Sequence, residues 1–228
     1  MPNRSVSIAR DRKFGSGRSF FDEDTPTLYD LNIMISEATT IVLMGRSGCG
    51  KDTQLEFLLK RADFKGALKI NSGDNFRALA QKETLIGKKV KDLINAGALM
   101  PRWLASALWI ANISAGLKGN EKIIMDGAPR RPGEGELLDE VLAFVNRAQS
   151  VAILIDISPE ESMKRLLSRG RSDDTEDRIK NRLSWYDGEV KIVLDYYKKD
   201  GRLLQVNGEQ SKEAVFSEME IKLEEHFK

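Results

Sequence analysis

From Thr40 onward the chain alternates short apolar runs with stretches of helical periodicity. Runs at 40–44 (TIVLM), 67–70 (ALKI), 122–126 (KIIMD), 151–157 (VAILIDI) and 203–206 (LLQV) end in turn or polar residues and predict strands. Those at 122–126 and 151–157 show no apolar and polar alternation, the pattern of parallel strands covered on both faces. Between the runs, apolar residues recur at helical spacing, as in Leu55, Leu58 and Leu59, or Trp103, Leu104, Leu108 and Ile113. The second set is read as a core face rather than a cofactor site. Ser158, Pro159 and Glu161 predict a helix start with an N-cap, a proline in its first turn and a capping-box acid. Five strands separated by helices imply an α/β fold with a doubly wound, five-stranded parallel sheet.

The first strand runs directly into IVLMGRSGCGKDTQ at 41–54, where the apolar run breaks into Gly45, Gly48 and Gly50, then Lys51 and Thr53. Strand, glycine-rich loop and helix in that order form a phosphate cradle. Glycines let consecutive N–H groups turn in on an anion where a Cβ would clash, and the helix that follows presents its positive dipole end. Lys51 then reaches the phosphates as a point charge. Asp52 stands where the common pattern has a Ser or Thr for Mg²⁺, and the hydroxyl comes one residue later at Thr53.

Three further stretches carry chemistry. In INSGDNFRALAQKETLIGKKVKDLINAGALMP, Ser72, Gly73 and Asp74 are expected to cap a helix, with Arg77 one turn in, and Gly97 to end a second helix before an extended 98–101. The third strand ends in Asp126, Gly127, Ala128, Pro129 and Arg130; an acid at the carboxyl end of a parallel strand beside a phosphate loop is placed to hold Mg²⁺ through water. In SRGRSDDTEDRIKNR at 168–182, Arg169, Arg171, Arg178 and Arg182 punctuate an acidic run. Alone that run would be solvated surface. Beside a phosphate loop, planar guanidinium forks suit a moving phosphoryl group.

Composition narrows the chemistry. With 36 basic and 35 acidic residues, the net charge of +1 gives no field for nucleic acid or an anionic membrane, so any anion site is local. A single cysteine, Cys49, excludes an internal disulfide, and the single histidine, His226, argues against histidine-based acid/base catalysis. No apolar run reaches the roughly 18 residues of a membrane span. Residues 1–37 differ from the rest: up to Phe20 they carry Arg4, Arg10, Arg12, Lys13 and Arg18 against Asp11 alone. That composition matches an organellar presequence, but it lacks an amphipathic stripe and is read as a flexible basic extension.

The ordered motifs resemble the adenylate kinases, nucleoside monophosphate kinases of the P-loop class, in their short-lid form. They are G-x-x-G-x-G-K-x-T-Q at 45–54, S-G-D-x-x-R at 72–77, A-G-x-L-x-P at 96–101, D-G-x-P-R at 126–130, and R-L-L-x-R-G with D-D-x-E and R-L across 165–183. The resemblance runs from about Thr40 to Phe227. It implies a kinase domain at 38–228 with an acceptor-binding insert at about 71–100 and a small lid at about 169–177. The implied reaction is ATP + AMP to 2 ADP, with Mg²⁺, in a cytoplasmic monomer whose partners are ATP and a nucleoside monophosphate.

The resemblance also implies site roles. Gly45, Gly48, Cys49, Gly50, Lys51, Asp52 and Thr53 would hold the ATP phosphates, with Arg169. Ser72, Arg77, Gly127, Arg130 and the backbone of Ala98, Leu99 and Met100 would take the monophosphate, with Arg171 and Arg182. Lys51, Arg130, Arg169, Arg171 and Arg182 would be catalytic, and Asp126 would hold the metal through water. Four departures stand out. Asp52 replaces a small residue and is expected to point outward, Ala128 replaces an aromatic, Glu134 replaces an adenine-reading Gln, and the lid is short. An ionised Glu is acceptor-only and suits guanine; turned to solvent, it would leave adenine to the backbone of 98–100. AMP is therefore placed ahead of GMP or CMP. A weakly catalytic nucleotide-binding module is the rival from another class.

Overall fold

The computed structural model describes residues 38–170 and 174–228. The extension at 1–37 and Arg171 lie outside the described residues. Five parallel strands, β1 (Thr40–Met44), β2 (Leu68–Asn71), β3 (Ile123–Asp126), β4 (Val151–Asp156) and β5 (Leu203–Asn207), form a sheet in the order β2-β3-β1-β4-β5. The register sets Leu43 beside Asp126 and Met44 beside Leu154. The sequence places these strands to within a residue or two.

Side chains alternate across a strand, so β1 feeds two cores. Ile41 and Leu43 pack on one face with Leu55 and Leu58 of α1 (Lys51–Lys60) and with Met219 and Leu223 of α9 (Lys212–His226). Val42 and Met44 pack on the other with Trp109 of α4 (Arg102–Gly116), Leu138 of α5 (Glu134–Phe144) and Tyr197 of α8 (Lys191–Lys199). Because helices cover both faces, the central strands β1, β3 and β4 have no polar side and their runs do not alternate, whereas the edge strands β2 and β5 expose Lys69 and Gln205.

Between β2 and α4 the chain forms α2 (Ser72–Ala80) and α3 (Leu85–Ala96), which share a small third core of Val90, Met100 and Leu104. Beyond β4 come α6 (Pro159–Arg169) and α7 (Glu176–Trp185), and a single π-helical turn, Tyr186–Val190, joins α7 to α8.

Three expectations are corrected. The cap of α2 is Asn71, whose side chain accepts the Asp74 N–H at 2.9 Å; Ser72 is already helical and is buried. Ser158 does cap α6, but Glu161 is drawn away to Arg165, and Glu209 takes the Ser158 N–H at 2.7 Å. Trp103 is 62% exposed while Trp109 is 1% exposed. The buried stripe of α4 follows Ala105, Trp109 and Ile113 at four-residue spacing, and Trp103 stands roughly 200° round the helix from Ala105.

Candidate active site

In the order β2-β3-β1-β4-β5 the chain leaves β1 toward opposite edges of the sheet, and a crevice opens at the carboxyl ends of the strands at that point. A cleft of about 460 Å³ lies there. Its floor is the loop between β1 and α1. Gly45, Gly48 and Gly50 take φ of 141°, 83° and 102°. A Cβ at Gly45 would run into the Ile155 carbonyl oxygen and stand 2.6 Å from the Cys49 sulfur, so only glycine fits. Gly50 caps α1 with no side-chain acceptor on its first turn, an arrangement suited to an anion. Lys51 Nζ folds back over the loop, donating to the carbonyl oxygens of Gly45 at 3.0 Å and Arg46 at 3.2 Å.

The second wall begins where β3 ends. Asp126 is 5% exposed, and one of its carboxylate oxygens accepts Asn71 Nδ2 at 3.0 Å. Burial raises its pKa, Lys51 and Arg130 oppose that rise, and the Asp52 carboxyl, within hydrogen-bonding reach, adds to it. Asp52 therefore faces Asp126 inside the cleft. The expectation that it points outward is wrong, because the first turn of α1 starts under the end of β3 and directs that position at it.

Gly127, at φ 82°, lets the chain turn so that Arg130 enters the cleft; a Cβ there would meet the Arg130 guanidinium at 2.9 Å. Arg130 lies 5.8 Å from the centroid of the Trp185 ring. Burial lowers its pKa, and Asp126 and Glu134 hold it up. Arg77 stands half exposed at the rim, paired with Asp74 at 2.6 Å.

Opposite the loop, Asp174 gathers two of the predicted arginines. Its buried carboxylate accepts Arg169 Nε and a terminal nitrogen of the same guanidinium at 2.8 Å each, and Arg182 at 3.0 Å. Burial pushes its carboxyl up, but the two guanidiniums hold it below the ordinary range. The sequence motif D-D-x-E marks the stretch without revealing this fork.

The remaining wall is the extended segment after α3, and it is held by side chains from elsewhere. Asn181 Nδ2 donates to the Ala96 carbonyl at 2.6 Å, and Trp185 Nε1 to that of Gly97 at 3.0 Å. Arg131 donates to the carbonyls of Met100 at 2.9 Å and Leu99 at 3.3 Å. Glu134 does not turn to solvent: it is 1% exposed, and its carboxylate accepts the Arg130 N–H at 2.9 Å and also takes the Arg131 N–H. Burial raises its pKa against those bonds.

Of the predicted residues, Gly48, Gly50, Lys51, Asp52, Thr53, Arg77, Ala98, Leu99, Met100, Asp126, Gly127, Arg130, Glu134, Arg169 and Arg182 line the one cleft. Gly45 and Cys49 support the loop from beneath, and Ser72 is buried behind Gly127. Asn71, Arg131, Asp174 and Trp185 were missed. Asn71 and Arg131 each adjoin a recognised motif and act across the fold, where no local pattern announces them.

Comparison with known proteins gives one answer. The family model for adenylate kinase matches residues 43–202. An adenylate kinase from Phocaeicola vulgatus is 33% identical over 183 residues, covering 78% of this chain and 95% of that protein. One from Prochlorococcus marinus is 31% identical, covering 80% and 97%, and adenylate kinase 1 from a Nostoc species is 31% identical, covering 81% and 98%.

Proposed function

The chain belongs to the adenylate kinase family, and from that premise we propose that it transfers the terminal phosphoryl group of ATP to AMP, giving two ADP. One observation carries the reading: a single cleft gathers Lys51 and the glycine loop on one side and Arg77, Arg130, Arg169 and Arg182 on the others. The loop and Lys51 take the ATP phosphates. Arg77 and Arg130 take the acceptor phosphate, and Arg169 and Arg182 meet the charge spread over the group in flight. The acceptor phosphate is already anionic, so no general base is needed, and positioning and electrostatics supply the rate.

The residues fit a divalent cation. Two carboxylates, Asp126 and Asp52, face each other beside Lys51, and Asn71 fixes one oxygen of Asp126. They would hold Mg²⁺, Asp126 through water, and the bound ion would neutralise phosphate charge. Asp52→Gly should weaken the apparent Mg²⁺ affinity in titrations with nucleotide; unchanged affinity would remove Asp52 from the site.

Residues 71–100 serve as the acceptor insert and 169–177 as the lid, closing over both nucleotides and keeping water from the phosphoryl group. The proposed form is a monomer, and the lone cysteine is compatible with the cytoplasm. No helix among the described residues is long and apolar enough to cross a membrane. A guanine acceptor would need the Glu134 carboxylate to face the base, and that carboxylate is engaged with the backbone of Arg130 and Arg131. The test is a coupled assay of ATP against AMP, GMP, CMP and UMP. The highest kcat/KM is expected with AMP, and the absence of ADP formation with every acceptor would overturn the proposal.

A further inference from the structure

The turn from Arg130 to Glu134 aims two neighbouring arginines in different directions. Arg130 enters the cleft beside Trp185, while Arg131 reaches back to the carbonyls of Leu99 and Met100. Its third nitrogen, Nη1, pairs with Glu189 of the π-helical turn at 3.2 Å. Both its side chain and that of Glu189 are about a third exposed, so the ion pair alone is worth little. The two bonds to carbonyls matter more. A rigid planar fork meets two carbonyls and a carboxylate from three separate nitrogens in one fixed geometry, a span that the single nitrogen of a lysine does not reproduce. Glu134 fixes the base of the fork by accepting the backbone N–H of Arg131.

What Arg131 holds is the wall against which an acceptor would lie. Residues 96–101 are the stem by which α2 and α3 rejoin the core at α4, and Asn181 and Trp185 grip the other end of that stem. The opposite stem, at Asn71, is tied to Asp126. The acceptor block is therefore suspended between two fixed points, and Arg131 sets the one that lines the cleft. We propose that Arg131 is the positioning residue for the acceptor nucleotide: it holds the backbone of 98–100 in its receiving position without acting on the ATP side. This rests on the reading of the cleft given above.

The test uses Arg131→Ala and Arg131→Lys. Binding of AMP alone and of ATP alone is measured by calorimetric titration, and both KM values and kcat are measured alongside. The alanine variant should lose AMP affinity on the order of tenfold and raise the AMP KM alike, with ATP affinity held within about twofold. The lysine variant should lose about threefold, since its single nitrogen keeps the charge and donors but not the planar, three-nitrogen spacing of the fork. Unchanged AMP affinity in both variants overturns the proposal, as does a matched loss for ATP, the mark of a merely structural role. Should the alanine variant fail to fold, the lysine variant decides by the same comparison. A parent chain that binds AMP but makes no ADP would overturn the proposed reaction instead, and the titration would still judge Arg131.

Discussion

The two sides of the cleft are built by different means. The phosphate loop is made of consecutive residues: Gly45, Gly48 and Gly50 at positive φ, Lys51 folded over them, and the first turn of α1. The acceptor side is an extended strip whose carbonyls are taken one by one by side chains remote in sequence, Asn181, Trp185 and Arg131. A backbone cradle takes its shape first from its own glycines, strand and helix, and remote contacts such as Ser162 Oγ on the Ser47 carbonyl at 2.6 Å only steady it. A strip held by distant side chains is only as well placed as they are. Damage on the donor side should therefore strike turnover, and damage on the acceptor side should strike one substrate's affinity.

The largest effect belongs to Lys51→Ala. The ammonium would face phosphate charge that redistributes during transfer, so kcat should fall on the order of 10²-fold or more. The far-ultraviolet circular dichroism should stay unchanged, because the bonds of the Lys51 ammonium go only to its own loop, to the carbonyls of Gly45 and Arg46 and the Cys49 sulfur. Near-normal turnover in a folded variant would mean that the loop is not the ATP site.

Next comes Asp174→Ala. Removing a buried carboxylate from between Arg169 and Arg182 leaves like charges together and should cost roughly 2–3 kcal/mol, toward the low end for buried pairs because Arg169 stays partly exposed. Turnover should drop about tenfold as the two forks lose their common anchor. The pH dependence has a definite sign. The folded-state pKa is depressed, so the stabilisation is complete above the unfolded value near 3.9 and is lost as pH falls through the folded value. The stability gap between parent and variant should thus be constant at neutral pH and shrink only in acid. A gap that narrows between about pH 6 and 8 would assign the stabilisation to another group.

Trp185→Phe probes the acceptor side with a smaller change. Phenylalanine keeps the ring beside Arg130 but removes the N–H that binds the Gly97 carbonyl. The AMP KM should rise about threefold and the ATP KM should hold, since one neutral hydrogen bond is lost at one end of the strip. An ATP KM that rises in step would show the two sides to be mechanically joined and would break the comparison.

The same contrast explains what could be read from the sequence. The strands, the glycine loop and the end of α3 at Gly97 are local events, set by apolar runs and by positions that need positive φ, and each falls where its residues indicate. The cap on α2 was misplaced by one residue, because Asn71 serves both Asp74 and Asp126 and only the sheet brings that aspartate near. The Asp174 fork needs α6 and α7 folded against each other before Arg169 and Arg182 can share it. Arg131 resembles any arginine after a turn until the fold sets Leu99 and Met100 opposite it. Trp103 was misjudged because the stripe of α4 has its phase fixed by Ala105 and Trp109, and periodicity alone leaves phase open.

The smallest expected effect is on base choice at Glu134. A carboxylate free in the cleft would accept from guanine N1–H and N2–H₂ and oppose adenine N1, and the substitution Glu134→Gln would then swing the AMP to GMP preference on the order of tenfold or more. In the structure the carboxylate is buried, takes the N–H groups of Arg130 and Arg131, and has Arg130 and Arg131 as its nearest positive charges. Glutamine can still accept through its one oxygen, so the turn should survive. Its amide nitrogen gains donors with no carboxylate to meet, which should cost roughly 1 kcal/mol of stability and a small rise in AMP KM as Arg130 relaxes. GMP kcat/KM should fall by the same factor, because the phosphate grip rather than the base is loosened, and the AMP to GMP ratio of kcat/KM should stay within about twofold of the parent. A shift of the ratio toward AMP by tenfold would place Glu134 against the base and return the acceptor side to direct side-chain reading.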